Sequence, residues 1–383
     1  MKKNLLILLS IITLVSCGSV KNLRVEVKNS ESIDRSNELV ELSVNEIEKQ
    51  LRGKNAALLV SNEAGEVIPS QVTSDGLLLF PSGLRANESQ VFTIRRGEAL
   101  EYEPKVFGRV FPERKEDFAW ENDRLGFRFY GNELKEHDGP SNGLDLWYKR
   151  TNKLVLNEWY RKSVEEGISY HVDHGEGCDP YGVGHSLGGG AMAPFVEGEL
   201  ILNDNYLTVE VLDEGPLRFT ARLNYPDIEI AGKSYQESRT VMLDAASQMT
   251  KIVQDYHTDD KLTLAAGIVK RPNSDDALWE SGSDYFIFSE PANEVNGQIH
   301  LSILIPQGID SVEVKSYEYL HPINGRLQNF SHTLAFTQNS GTVSYYTGFG
   351  WDKFGFDSAE KWQEYVENFK LALENPFEVN YLK

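Results

Sequence analysis

Cysteine is almost absent: the 383 residues carry only Cys17 and Cys178. With Cys17 committed to a lipid, no intramolecular disulfide is left, and stability must come from packing alone. Positive charge is scarce too, with 38 Lys and Arg against 58 Asp and Glu and a net charge of −20. That balance argues against nucleic-acid binding, because a polyanion is held by a basic footprint that releases its counterions. An anionic substrate would have to be drawn in by a local cluster of cations. Fixed-period repeats and low-complexity tracts are missing, and no apolar run reaches the ~20 residues of a membrane-spanning helix. What is present, 40% hydrophobic and 11% aromatic residues, is ample for a packed core and excludes wholesale disorder.

The N-terminus reads as an export signal. Met1-Lys2-Lys3 is a short basic stretch, and Leu5 to Val15 is apolar apart from Ser10 and Thr13. Leu14-Val15-Ser16-Cys17 has the lipobox form and resembles bacterial lipoprotein signals. Residues 1–16 are then a signal peptide, and the mature chain has a net charge of −22. Lipidated Cys17 is its only membrane attachment, at the outer membrane or in the periplasm, with the cell surface left open. Residues 17–35, polar and aperiodic, suit a flexible tether.

Beyond the tether the text is mostly strands. Ser43-Val44-Asn45-Glu46 has the form of a capping box ahead of a short helix carrying Val44, Ile47 and Leu51. Short β-favouring runs follow, so 36–115 reads as an N-terminal β region. From about Phe118 the runs lengthen and alternate. More than ten strands with turn signals between them imply that 116–383 is a large antiparallel β-sandwich. Only the C-terminus is convincingly helical: Asp357 can cap, Trp362, Val366, Phe369 and Leu373 form an apolar stripe, and Asn375-Pro376 stops it.

Chemistry concentrates at Tyr170-His171-Val172-Asp173-His174-Gly175-Glu176-Gly177-Cys178-Asp179-Pro180-Tyr181. His171, His174 and Glu176 are of the types that ligate a divalent ion, so a metal stays open, although the spacing matches no zinc pattern; no other cofactor is called for. The same imidazoles could serve as general acid or base, tuned by a neighbouring carboxylate. Arg124 and Arg128, four apart, would share a face of a strand and could clamp a carboxylate or sulfate, with Glu121 or Asp123 as the plainer partners. Trp120 and Trp147 could offer flat faces to sugar rings, although aromatics at strand spacing more often belong to a core. Gly184-His185-Ser186-Leu187-Gly188 spells a nucleophile elbow, but neither the strand before it nor the helix after it is present, so it reads as a glycine-rich loop.

Together, Trp120 to Arg124, Gly143 to Trp147 with Lys149-Arg150, Tyr170 to Gly177, the Gly188 to Gly190 loop, Gly215 to Arg218, Leu243 to Gln248 and Gly348 to Trp351 resemble a lipoprotein family known as a domain of unknown function and found with polysaccharide-utilisation genes. At least one member is similar to the dehydratases that act on ulvan oligosaccharides. The resemblance implies a supersandwich like that of galactose mutarotases and several polysaccharide lyases. It also implies β-elimination of water from a non-reducing-end uronic acid of an anionic oligosaccharide, giving a 4,5-unsaturated uronate. On that reading Arg124 or Arg128 neutralises the sugar carboxylate, His171 or His174 is the base or acid, Tyr181 is its counterpart and Glu176 orients the imidazole. A glycan-binding lipoprotein without activity remains as an alternative. So does an epimerase-like enzyme or a glycosidase drawing on Glu121, Asp123 and Glu176.

Overall fold

A computed structural model describes residues 21–53, 56–272, 274 and 277–382. The signal peptide and Cys17 lie outside the described residues.

Alternation of apolar and polar residues builds a sandwich whose architecture is mainly β, as the sequence implies. An eight-stranded antiparallel sheet runs in the order Thr208–Glu214, Arg218–Asn224, Ser238–Asp244, Met249–Asp255, Thr342–Trp351, Ile299–Leu304, Tyr285–Ser289, Leu278–Ser281. Beside it lies a five-stranded sheet whose centre is Gly189–Val196, Lys261–Val269 and Leu327–Ser340, with Ser311–Leu320 at its edge. A second five-stranded sheet joins Val106–Phe111, Asp117–Asn122, Gly126–Phe129, Asp145–Lys149 and Gly177–Cys178. One continuous core unites the three, from Trp120 and Phe127 through Met192 and Phe219 to Phe286 and Tyr345. The outer face of the second five-stranded sheet is covered by the helix Leu156–Arg161, which packs Leu156, Trp159 and Tyr160 on Phe111 and Trp147.

The C-terminal helix, Ala359–Glu374, is capped by Ser358, whose hydroxyl accepts from the Lys361 N–H, one residue later than the sequence suggested. Trp362 and Val366 bury their stripe against Met249, Ile287 and Leu304 on the outside of the eight-stranded sheet.

Two expectations need correction. Asn22–Lys28 is not tether: it is a strand between Ser89–Gly97 and the C-terminal Glu378–Leu382, with Val25 and Val27 fully buried. Its sequence, NLRVEVK, alternates, but its even positions are charged or amide, which lowers the hydrophobic signal without changing the period. The N-terminal β unit also ends earlier than 115. Val106–Phe111 pairs along its length with Asp117–Asn122 and so belongs to the sandwich. The helix Val44–Gln50 forms where foreseen and buries Ile47, but Ser43 makes no side-chain cap.

Candidate active site

The histidine loop does not assemble into one site. Gly177, at φ +120 with its Cα so close that a Cβ would stand 2.0 Å from the Tyr148 carbonyl, lets the loop return alongside Asp145–Lys149. The residues before it face outward and are consumed separately. His171 Nδ1 meets the Asp179 carbonyl at 2.7 Å and its side chain is 56% exposed. His174 Nε2 meets the Ser169 carbonyl at 3.1 Å, also at the surface. Glu176 pairs with Lys153 at 2.7 Å and orients neither ring. The three therefore do not converge as ligands, and among the described residues no group of three His, Cys, Asp or Glu is placed to hold a metal ion.

The aromatic and cationic assignments change as well. Trp120 is fully buried between Phe118 and Phe127, and Trp147 is fully buried against Trp159 and Tyr170, so neither can lie under a sugar. Arg124 sits in the turn between Asp117–Asn122 and Gly126–Phe129 and donates to Asn152 at 3.1 Å, so it shares no strand face with Arg128. Arg128 is sealed inside, donating to Asp145, to Asp179 at 2.8 Å and to Asp117 at 3.4 Å. Its anionic counterparts are protein carboxylates.

The glycosidase candidates are spoken for too. Glu121 is buried, holding Lys149 at 2.5 Å and accepting the Val155 and Leu156 N–H groups at 2.7 Å, while Asp123 accepts from Ala246 N–H. Ser186 is buried and donates to the Val183 carbonyl at 2.6 Å, which disposes of the nucleophile elbow. Burial pushes the Cys178 thiol up to about 12, so it is inert as a thiolate.

Tyr181 is different. It lines a polar cleft of about 410 Å³ together with Tyr148, Gly182, Arg271, Glu290, Asn293 and others. The sequence reading missed Arg271 and Glu290, which arrive from the ends of Lys261–Val269 and Tyr285–Ser289. Each precedes a proline, Pro272 or Pro291, which restricts the backbone of the residue before it. A charged residue before proline at the end of an apolar strand was the available signal.

Arg271 is the hub. Its Nη1 donates to the Gly182 carbonyl at 2.5 Å, its Nε to Glu290 at 3.3 Å, and its guanidinium carbon lies 4.2 Å from the centre of the Tyr181 ring. Among the described residues its Nη2 and the Tyr181 hydroxyl are buried polar atoms that make no well-formed hydrogen bond beyond their own mutual contact. Unmade hydrogen bonds of this kind are costly unless something in the cleft takes them up.

Burial raises the Glu290 carboxyl above its ordinary range, against the pull of Arg271. Burial likewise drives the Tyr181 and Tyr148 phenols well up, with the Glu290 charge adding to it, so both stay protonated and able to donate. The far wall is the Asn293–Gly297 turn. Asn293 accepts the Val295 and Asn296 N–H groups on its side-chain Oδ1, and Trp351 Nε1 donates to the Asn296 carbonyl at 2.6 Å. The cleft thus offers a carboxylate-binding fork, a basic carboxylate and phenolic donors within one small volume.

The family described as "Domain of unknown function (DUF4861)" matches residues 27–379, and the chain belongs to it. It is similar to "Uncharacterized protein P7" of Formosa agariphila, 26% identical over 384 residues that cover 93% of this chain and 92% of that protein. In solved structures the fold is similar to that of a protein in the glycosyl hydrolase family 38 from Enterococcus faecalis, with a TM-score of 0.53 and 8% identity over 96% of this chain and 48% of the other. An alpha-mannosidase from Enterococcus faecalis V583 is similar at a TM-score of 0.50 and 10% identity, over 96% of this chain and 47% of the other. At such identities the likeness is one of fold, and the chain spans about half the length of those solved chains.

Proposed function

We propose that the cleft around Arg271 is the active site of a carbohydrate-active lyase, a dehydratase that eliminates water across C4 and C5 of a uronic acid at the non-reducing end of an anionic, ulvan-type oligosaccharide. The observation that carries this reading is the pair of buried donors, Arg271 Nη2 and the Tyr181 hydroxyl, which among the described residues make no well-formed hydrogen bond beyond their own mutual contact and belong to two residues lining one cleft with Glu290. Support also comes from the carbohydrate-active enzymes that share the fold.

The chemistry follows from the charges. The guanidinium edge binds the sugar carboxylate and stabilises the enolate-like charge that develops there. Glu290, ionised and made more basic by burial, takes the C5 proton. The C4–O bond breaks as the C4–C5 double bond forms, and Tyr181 gives its phenolic proton to O4, which leaves as water. If O4 carries a further sugar, the same steps make a polysaccharide lyase. Tyr181 keeps its place from the sequence reading, Arg271 takes the role given there to Arg124 or Arg128, and Glu290 that given to a histidine. Export and lipid attachment at Cys17 belong to the same proposal, and would put the site on the envelope side of a membrane where imported oligosaccharide is met.

The test is to incubate the protein with saturated uronate-ended oligosaccharides and follow the near-ultraviolet band of a conjugated enol acid together with product mass. A band with loss of one water supports the dehydratase, a band with chain cleavage the lyase, and binding without a band the non-catalytic alternative. Tyr181→Phe should lower the rate by about 10²-fold, the usual worth of a positioned acid. Because Glu290 must be ionised, the acidic limb of the pH–rate profile should fall above the ordinary carboxylate range.

His171→Ala and His174→Ala should each leave turnover within about twofold, as substitutions at exposed positions generally do. A collapse of activity in either variant, with an unchanged melting temperature, would return the base to the histidine loop.

A further inference from the structure

The loop that carries Tyr181 does not end at the cleft. Gly182 is exposed and its carbonyl accepts from Arg271. Gly184, two residues on, has φ +60 and lies against Phe330, where an added Cβ would stand 3.2 Å from the ring. His185 follows, stacked on Tyr319 with ring centres 3.6 Å apart and planes 14° from parallel.

Tyr319 and Phe330 come from one face of the long hairpin Ser311–Leu320 and Leu327–Ser340. Its register sets Tyr317 opposite Phe330 and Tyr319 opposite Gln328, and the alternation of the strand brings His321 to the same side. The Lys270 N–H donates to the Ser331 carbonyl at 2.7 Å, so Arg271 stands one residue beyond the ladder that carries Phe330. Tyr319, His321 and Phe330 are each half-buried rather than sealed. Burial holds the His185 imidazole below its ordinary value, so near neutral pH it is an uncharged ring suited to stacking.

We propose that this face, His185, Tyr319 and Phe330 with the bare backbone of Gly182 and Gly184 leading to it, is a second saccharide subsite that stacks on the C–H face of the sugar next to the one held at Arg271. The inference rests on the reading of the cleft as a saccharide site. A cleft of about 410 Å³ is at the small end for a ligand pocket, so an oligosaccharide must leave it, and along the loop Gly182 and Gly184 are exposed while the Val183 side chain between them is buried. The occupant is therefore a sugar ring of the same chain, and it need not be charged, since this face offers rings rather than a guanidinium.

The experiment is calorimetric titration of wild type, Tyr319→Ala and Tyr319→Phe with uronate-ended oligosaccharides of two and of four residues prepared from ulvan, with the ultraviolet band followed in parallel. Wild type and Tyr319→Phe should bind the tetrasaccharide more tightly than the disaccharide. Tyr319→Ala should lose about tenfold on the tetrasaccharide alone, the worth of one aromatic stack. If Tyr319→Ala keeps the wild-type ratio of the two affinities, or the face proves to be covered by a second copy in sedimentation, the subsite is overturned. Absence of the band with the length dependence intact sinks the assigned reaction and not the subsite.

Discussion

Arg271→Ala is expected to lower kcat/KM on a uronate-ended substrate by about 10³-fold or more, the range seen when a preorganised donor to a developing anion is removed. Two losses act together. The sugar carboxylate no longer meets a fork of N–H groups, so negative charge builds beside an uncompensated anion. Glu290, whose side chain is 14% exposed, loses the cation 3.3 Å away that counters its burial. Its carboxyl then climbs further above the ordinary range, and less of it is ionised as base near neutral pH. The acidic limb of the pH–rate profile should therefore move to higher pH along with the fall in rate, a signature that mere loss of substrate affinity does not produce. Arg271→Lys should recover little, because an ammonium cannot bind a carboxylate bidentately while also holding the Gly182 carbonyl. The melting temperature separates this from unfolding, since the lost hydrogen bonds cost only about 1–3 kcal/mol. Turnover above a tenth of wild type in folded Arg271→Ala would end the case for a carboxylate clamp at this position.

The strands of the sandwich were legible because burial on one face imposes a period of two, and that period survives in segments such as Thr240 to Leu243 and Lys251 to Asp255. Asn22–Lys28 was not recognised, because three charged residues diluted an alternation whose buried side, Leu23, Val25 and Val27, is wholly apolar.

The site was half legible. Tyr181 lies in a segment dense in polar groups and glycine, which drew attention to it for sound reasons. The histidines in that segment drew more, yet a loop exposed to water collects polar residues that bond to its own backbone, as His174 does to Ser169. Arg271 and Glu290 are 90 and 109 positions beyond Tyr181, and apart from Lys270 neither has a charged neighbour in sequence. Only the packing of one sheet on another brings them together, since Lys261–Val269 and Tyr285–Ser289 belong to different sheets, and that is a long-range fact that local pattern does not carry.

Arg128 shows how the same residue type supports the site from behind. It is nine-tenths and more buried, with Asp117, Asp145 and Asp179 around it and the Tyr130, Tyr160 and Tyr170 hydroxyls at 3.4 Å. Asp179 immediately precedes Pro180 and Tyr181, and its N–H donates to the Tyr170 carbonyl at 2.9 Å, so the cluster anchors the loop that enters the cleft. Arg128→Met should cost about 3–5 kcal/mol, because it leaves three buried carboxyl groups without the guanidinium that donates to them.

The pH dependence follows from the direction of the shifts. Burial raises the Asp179 carboxyl well above its ordinary value, with the Asp145 charge adding to it, and burial raises Asp117 and Asp145 as well. An acid whose folded value is raised favours folding fully below its unfolded value, near 4, and that contribution is lost as pH rises through the folded value. The cluster therefore weakens the fold as pH rises, the reverse of an ordinary surface ion pair. Asp179→Asn imitates the protonated acid while its side-chain oxygen still accepts from Arg128. Its melting temperature should match wild type in acid and exceed it by a growing margin toward alkaline pH. A constant margin across the range, or a variant less stable than wild type at high pH, would show that Asp179 is ionised in the folded protein and that the loop is held by a full ion pair instead.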